Sequence, residues 1–265
     1  MDIIKNVHLL KKCDIINERS GERMFKLQNN SKKRGCAICG KAVMYSTYSA
    51  NYTCQICGKK HEANSACVDG HYVCDRCHSS ALPDVMRLLK NTDEKDPITL
   101  FNQIAALGGV HMHGPEHHTI VPGVMLVAYR NNGGTPSAEA PLDFNAALKT
   151  AARYGGQLPG GICGSWGACG AAIGAGAYAA LIMESNPLKA EVWSAPQRLT
   201  SKCLERIAEY GGVRCCKRTS KISIELAVEF TREHKGIDIP IHNQMCDFSD
   251  MNQECLGGSC PYFGG

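Results

Sequence analysis

Residues 36–77 read CAICGKAVMYSTYSANYTCQICGKKHEANSACVDGHYVCDRC, and eight metal-ligand side chains fall in these 42 positions. They come as four close pairs: Cys36/Cys39, Cys54/Cys57, Cys67/His71 and Cys74/Cys77. Four pairs of thiols and imidazole match the needs of two tetrahedral Zn²⁺ ions, because a tight turn lets each pair grip one ion. Only two residues separate the third pair from the fourth, too little chain to wrap a single ion. Pairs one and three are therefore expected to share one zinc, and pairs two and four the other. A sequential arrangement, with Cys36, Cys39, Cys54 and Cys57 on one ion, stays open, and His61 or His78 could replace His71. Four ligands close each site, so the zinc is expected to be structural rather than catalytic.

Outward from this stretch the chain divides. Residues 1–35 read as a polar lead-in, ending in the surface segment Lys26–Arg34 (KLQNNSKKR). Residues 36–80 form the double-zinc module, and 81–96 a short helix with a charged connector. Residues 97–265 are expected to be an all-α, Cys/His-rich domain with an irregular tail. The chain of 265 residues, 44% of them apolar, can build one large core plus a small module. A formal charge of +4 is too weak to argue for nucleic acid. There are 16 cysteines. The N-terminal stretch shows no apolar signal region and no small-residue cleavage site. Paired, ligand-spaced cysteines then suit a reduced metal protein of the cytoplasm better than a disulfide scaffold. Tyr154–Met183 carries no charged residue. Its first half reads as glycine-rich loop, leaving about 15 residues of helix where a bilayer needs about 20. A buried helix is expected.

Helix signals dominate after residue 97. Proline starts and Gly-Gly stops predict helices over Pro97–Leu107, Pro115–Arg130, Pro141–Tyr154, Gly170–Met183, Pro196–Tyr210 and Thr219–His234. Pro122 should kink or interrupt the second of these.

Two constellations carry candidate chemistry. The first is His111-Met-His113-Gly-Pro-Glu116-His117-His118, where a turn at Gly114 and a helix start at Pro115 bring imidazoles and a carboxylate to exposed N–H groups. Histidine there should have a lowered pKa and serve as ligand or base. The motif HExxH is absent, so a zincin-type protease is not indicated. The second is the remaining cysteines. Gly160-Gly-Ile-Cys163-Gly-Ser-Trp-Gly-Ala-Cys169 delivers Cys169 to a helix start, and Arg214-Cys215-Cys216-Lys217-Arg218 sets two thiols among cations. Both settings are expected to favour thiolate. Cys246, Cys255 and Cys260-Pro261 close the chain. Cys163, Cys169, Cys215, Cys216, Cys246, Cys255 and Cys260 are the pool of ligands for an iron–sulfur cluster, or of reactive thiols without one. Cys13 and Cys203 look unpaired, and Cys203 reads as core.

From Cys54 onward the zinc module resembles the RING and LIM-like treble-clef families, with a cross-brace of interleaved pairs. An extra pair precedes the RING-like stretch, so ubiquitin transfer is not carried over. HGPEHH, GGICGSWGACGAA and RCCKRTS resemble an uncharacterised family of cysteine-rich proteins of anaerobic prokaryotes. That resemblance implies radical-SAM or methyltransferase neighbours but no settled activity, and no S-adenosylmethionine motif is present here. The functional expectation is redox or sulfur-transfer chemistry on an unidentified small molecule or protein. In that expectation Cys169, Cys215 and Cys216 are reactive or ligating, and His113, Glu116, His117 and His118 bind substrate or shuttle protons in the same pocket. The rival is a non-catalytic adaptor whose zinc module binds a protein or RNA.

Overall fold

The computed structural model describes residues 35–135, 143–242 and 245–264. Cys13 and the Lys26–Arg34 segment lie outside the described residues. The first described elements are two antiparallel strands, β1 (Val43–Thr53) and β2 (Lys60–Cys67), paired from Val43↔Cys67 to Thr53↔Lys60 with an irregularity between Tyr45 and Ala50. The sequence reading did not anticipate this hairpin. Strand β1 is mostly exposed and β2 mostly half-buried, so the hairpin lacks the alternating buried face that marks a strand. Its ends are held instead by the cysteine pairs that flank it.

A helical array follows: α1 (Asp75–His78), α2 (Leu82–Asn91), α3 (Pro97–Ala105), α4 (Glu116–Asn131), α5 (Phe144–Gly156), α6 (Ile162–Ser165), α7 (Gly170–Ile182), α8 (Ala190–Tyr210) and α9 (Cys216–Lys235). Two 3-10 turns, Ser249–Met251 and Gly257–Ser259, punctuate the tail. Local chemistry sets the helix starts. Asp96 caps α3 by accepting from the N–H groups of Ile98 and Thr99, with Pro97 in the first turn. Asp143 caps α5. Cys215 caps α9 through its sulfur, which accepts from the Arg218 N–H. Gly236, with φ +66°, ends α9 in the left-handed region.

The centre of the array is α4, on which every residue from Glu116 to Tyr129 is buried. A helix apolar on all sides must be enclosed by others, and α2, α3, α5, α7 and α9 all pack on it. Helix α2, expected to belong to a connector, buries Val85 and Leu89 in the same core. The uncharged segment forms α7, which packs between α4, α8 and α9. Among the described residues no helix is long and apolar enough to cross a membrane.

Two helix starts are corrected, and the expectation at Pro122 is narrowed. Pro122 does not interrupt α4, which runs continuously through it. Proline leaves the His118 carbonyl without its helical N–H partner, and α5 and α7 close in at that level, where Gly155 and Gly174 lie against the carbonyl. Helix α8 begins at Ala190, six residues before Pro196, which sits buried inside the helix. Helix α9 begins at Cys216 rather than Thr219, so the paired cysteines form the helix start itself. The predicted start of α5 at Pro141 falls outside the described residues.

Candidate metal centres and thiol site

Three of the four ligand pairs are built by one recurring turn, and the fourth, Cys74/Cys77, by the start of α1. In Cys36–Lys41 the Cys36 N–H reaches the Lys41 carbonyl (2.8 Å) and the Gly40 N–H returns to the Cys36 carbonyl (2.8 Å). Cys54–Lys59 repeats this at 2.9 and 2.9 Å, and Cys67–His71 closes likewise at 2.9 and 2.8 Å. The turns require positive φ at Gly40, Gly58 and Gly70 (+79°, +70° and +80°). Backbone N–H groups of Ile38, Asp69 and Cys74 point at the sulfurs of Cys36, Cys67 and Cys54, each at 3.4 Å. Donors aimed at sulfur favour thiolate, the ligand form. At Cys54 burial opposes ionisation, but the N–H groups of Cys57, Cys74 and Ile56 outweigh it and hold the thiol down at about 6.

The pairs converge in two groups, Cys36/Cys39/Cys67/His71 and Cys54/Cys57/Cys74/Cys77, each with its ligand atoms within 4.8 Å of one another. The interleaved order follows from the short third-to-fourth gap; the sequential order is not adopted, and neither His61 nor His78 joins either of these two groups. Cys39 and Cys67 sulfurs stand 3.5 Å apart, Cys57 and Cys74 sulfurs 3.9 Å, and His71 Nδ1 lies 3.3 Å from Cys39 Sγ. A tetrahedral ion with metal–sulfur bonds of about 2.3 Å sets sulfurs about 3.8 Å apart. Both groups have the donor set and spacing to hold metal ions such as zinc.

The histidine turn packs inward. Glu116 is fully buried; His78 Nδ1 lies 3.3 Å from its Oε2, and the His111 backbone N–H donates to its Oε1 at 2.8 Å. Burial works against the charge, but the contacts from His111 and His78 prevail and hold the carboxyl well below the usual range. His117 is 1% exposed; its Nδ1 faces the Gly114 carbonyl and its Nε2 the Lys217 amine at 3.0 Å. His118 lies beneath Gly170, with Nδ1 3.3 Å from the Leu158 carbonyl. The expected lowered pKa is found at His113, His117 and His118, but burial is its main cause at each.

One cavity gathers the tail. Cys215, Cys246, Cys255 and Cys260 line it together with Lys217, Arg218, Lys221, Met112, Asn252, Phe248 and Tyr262, and no carboxylate is among its lining. The N–H groups of Arg218, Phe248 and Gly257 each point at a sulfur, of Cys215, Cys246 and Cys255 respectively, at 3.4 Å. Asn252 Nδ2 adds a contact to Cys215 Sγ at 3.5 Å. Lys217 and Lys221 are both buried. Burial pushes the Lys217 amine down to about 8 and lowers that of Lys221. Cys246 and Phe263 form a short bridge that folds the tail back on itself.

Cys163, Cys169 and Cys216 do not line this cavity. Cys169 lies within electrostatic range of Cys163 and of Cys216, and Arg214 within range of Cys163 and Cys216. Tyr45 of β1 covers that guanidinium, which hydrogen-bonds the Tyr45 hydroxyl and stacks on its ring at 4.6 Å. The glycine loop before Cys163 is anchored by Asp75, which accepts from the Gly160 N–H at 2.8 Å. The expected single pocket is thus two neighbouring groups, divided at the Cys215–Cys216 step. His113 spans the divide: its Nδ1 accepts from the Cys216 N–H (3.5 Å), and its Nε2 faces Asn252 Oδ1 (3.1 Å) and Glu254 Oε2 (3.2 Å). The expected lowering of the Cys215 and Cys216 thiols is also overturned. Burial raises both, Cys216 to about 12, because desolvation of a thiolate outweighs the nearby cations.

Lys217, Lys221 and Asn252 were not anticipated as site residues. Cations on successive turns behind a Cys-Cys pair were the available signal for the lysines. Residues 85–263, more than half of the chain, match the family of unknown function DUF5714. The chain belongs to this family. The matched region contains the cavity, the histidine turn and all the thiols around Arg214, and begins after the paired-cysteine segment. No curated protein and no solved structure matches the chain.

Proposed function

We propose that this protein is a metal- and thiol-dependent redox or sulfur-transfer protein, with an iron–sulfur cluster held by Cys215, Cys246, Cys255 and Cys260. The supporting observation is the convergence of these four cysteines on one cavity beside Lys217, Arg218 and Lys221, with backbone N–H groups aimed at three of the sulfurs. Glu116 lies within electrostatic range of Lys217, and Asp247 and Glu225 of Lys221, so the thiols add to negative charge already near these cations. Cations and N–H groups beside the sulfurs favour thiolates on iron, and metal ligation overrides the burial that raises Cys215 and Cys246. N–H groups directed at cysteine sulfur are a recognised control on cluster potential. Cys163, Cys169 and Cys216 around Arg214 are then the second thiol set, where substrate would meet the cluster's neighbourhood. His113, between the two sets, is the candidate proton shuttle. In this reading the paired cysteines hold two structural zinc ions in a cross-brace akin to treble-clef modules. The small module (36–80) and the helical domain act as separate units. A reducing cytoplasmic setting, and the kinship with cysteine-rich proteins of anaerobes, belong to the same reading.

Protein purified and reconstituted anaerobically should be brown, with iron and acid-labile sulfide. Cys255→Ala and Cys260→Ala should lose both while keeping zinc, and Cys163→Ala should keep all three. A colourless wild type that binds zinc alone after reconstitution sinks the cluster reading. One observation favours the adaptor in that event: Met44, Tyr48 and Ile56 are exposed on and beside the hairpin, an apolar surface suited to a protein partner.

A further inference from the structure

His78 ends α1, His111 precedes α4, and Glu116 opens α4. None of the three belongs to the two cysteine groups or lines the cavity. One ring nitrogen from each histidine and one oxygen of Glu116 lie within 4.8 Å of one another. The two imidazole rings are 3.9 Å apart, centre to centre. His78 Nδ1 is 3.3 Å from Glu116 Oε2, and His111 Nδ1 is 3.5 Å from Oε1. Ligands about 2.0–2.1 Å from a tetrahedral divalent ion stand about 3.4 Å apart.

A second observation points to an occupant. His111 Nδ1 is screened from water, and its approach to Glu116 Oε1 at 3.5 Å falls short of hydrogen-bond geometry. A buried polar atom left so costs free energy that a ligand would recover. Glu116 is fully buried and its contacts are imidazoles and an amide N–H. The neighbouring cation, Lys217, is committed to His117 Nε2 and the His111 carbonyl, each at 3.0 Å. The backbone also closes over the group at Gly114, where a Cβ would stand 2.1 Å from Glu116 Oε2 and 2.6 Å from His78 Cε1.

We propose that His78, His111 and Glu116 bind a mononuclear divalent transition-metal ion. Two imidazoles and one carboxylate suit zinc or ferrous iron, and three protein ligands leave a coordination position open to water or substrate. The ion would differ in kind from the closed cysteine sites. It would also tie α1, one residue beyond Cys77, to the start of α4. The proposal is independent of the iron–sulfur reading.

The test is cobalt loading of the full-length chain after metal stripping. Wild type should bind one more Co²⁺ than Glu116→Gln or His111→Ala, and the difference spectrum should show ligand-field bands without thiolate-to-cobalt charge transfer. The same one-ion difference in a Cys255→Ala/Cys260→Ala background separates it from metal in the cavity. Should Glu116→Gln fail to fold by circular dichroism, His78→Gln, in a side chain that is 20% exposed, reads the same loss. Equal stoichiometry in wild type and in the folded variants overturns the proposal, as does an extra ion whose spectrum carries thiolate charge transfer.

Discussion

Cys215 and Cys216 are neighbours in the chain and part company in space. The first lines the lysine-rich cavity. The second lies within reach of Cys169 and Arg214, and its N–H reaches His113. Single residues also set tolerances. A Cβ on Gly170 would stand 2.2 Å from His118 Cδ2 and 2.3 Å from Nε2. Gly170→Ala should therefore displace the imidazole and cost roughly 1–3 kcal/mol, read as a lower urea midpoint. Cys203 is fully buried, and burial raises its thiol from 9.0 to about 12. A raised folded-state pKa means that the unfolded chain loses its proton first. The stability this thiol contributes is complete below pH 9 and is lost as pH climbs toward 12, by at most about 4 kcal/mol. Urea melts across that range should fall less steeply for Cys203→Ala than for wild type.

At the scale of an element, α3 shows how one cap can serve two parts of the fold. Asp96 accepts from the N–H groups of Ile98 and Thr99 at 2.8 and 3.2 Å, and its other oxygen accepts from the His242 N–H at 2.8 Å. Asp96→Ala removes the cap and orphans the tail contact. A loss of roughly 2–4 kcal/mol is expected, and Asp96→Asn, which keeps a cap oxygen, should lose less. Equal losses in the two variants would show that the cap itself contributes little. Helix α4 makes the converse point. Its proline would end a lone helix, but neighbours enclose it on all sides and the element persists.

At the scale of the molecule, two kinds of interior coexist. The helices share one apolar core, whereas the hairpin and its turns are mostly exposed. Two metal ions can supply to the hairpin what burial does not, because structural zinc contributes roughly 10–16 kcal/mol to folding. Chelation, or Cys57→Ser, should abolish amide-exchange protection over residues 36–80 and leave α4, α7 and α9 protected. Loss of protection throughout the chain would mean that the two parts fold as one unit. Among the described residues, contacts across their boundary include Tyr45 to Arg214, Asp75 to the Gly160 N–H, and His78 to Glu116 and His111.

Ligand spacing by itself pointed to interleaved cysteine pairs, because a two-residue gap is a local limit on what the chain can wrap, and the fold then brought the pairs together in that order rather than the sequential one. Local chemistry likewise determined that α3, α5 and α7 exist, since caps, proline starts and glycine stops act within a few residues. The exposed hairpin escaped that reading, because its strands bury no alternating face. Only the tertiary structure decided which thiols share a cavity. Cys215 meets Cys246, Cys255 and Cys260 because the tail folds back along α9, and no local rule encodes a contact across 30 or more residues. It also decided the thiol chemistry. Flanking cations in the sequence point to lowered thiol pKa values, yet burial, which depends on every element packed around Cys215 and Cys216, prevails and raises them.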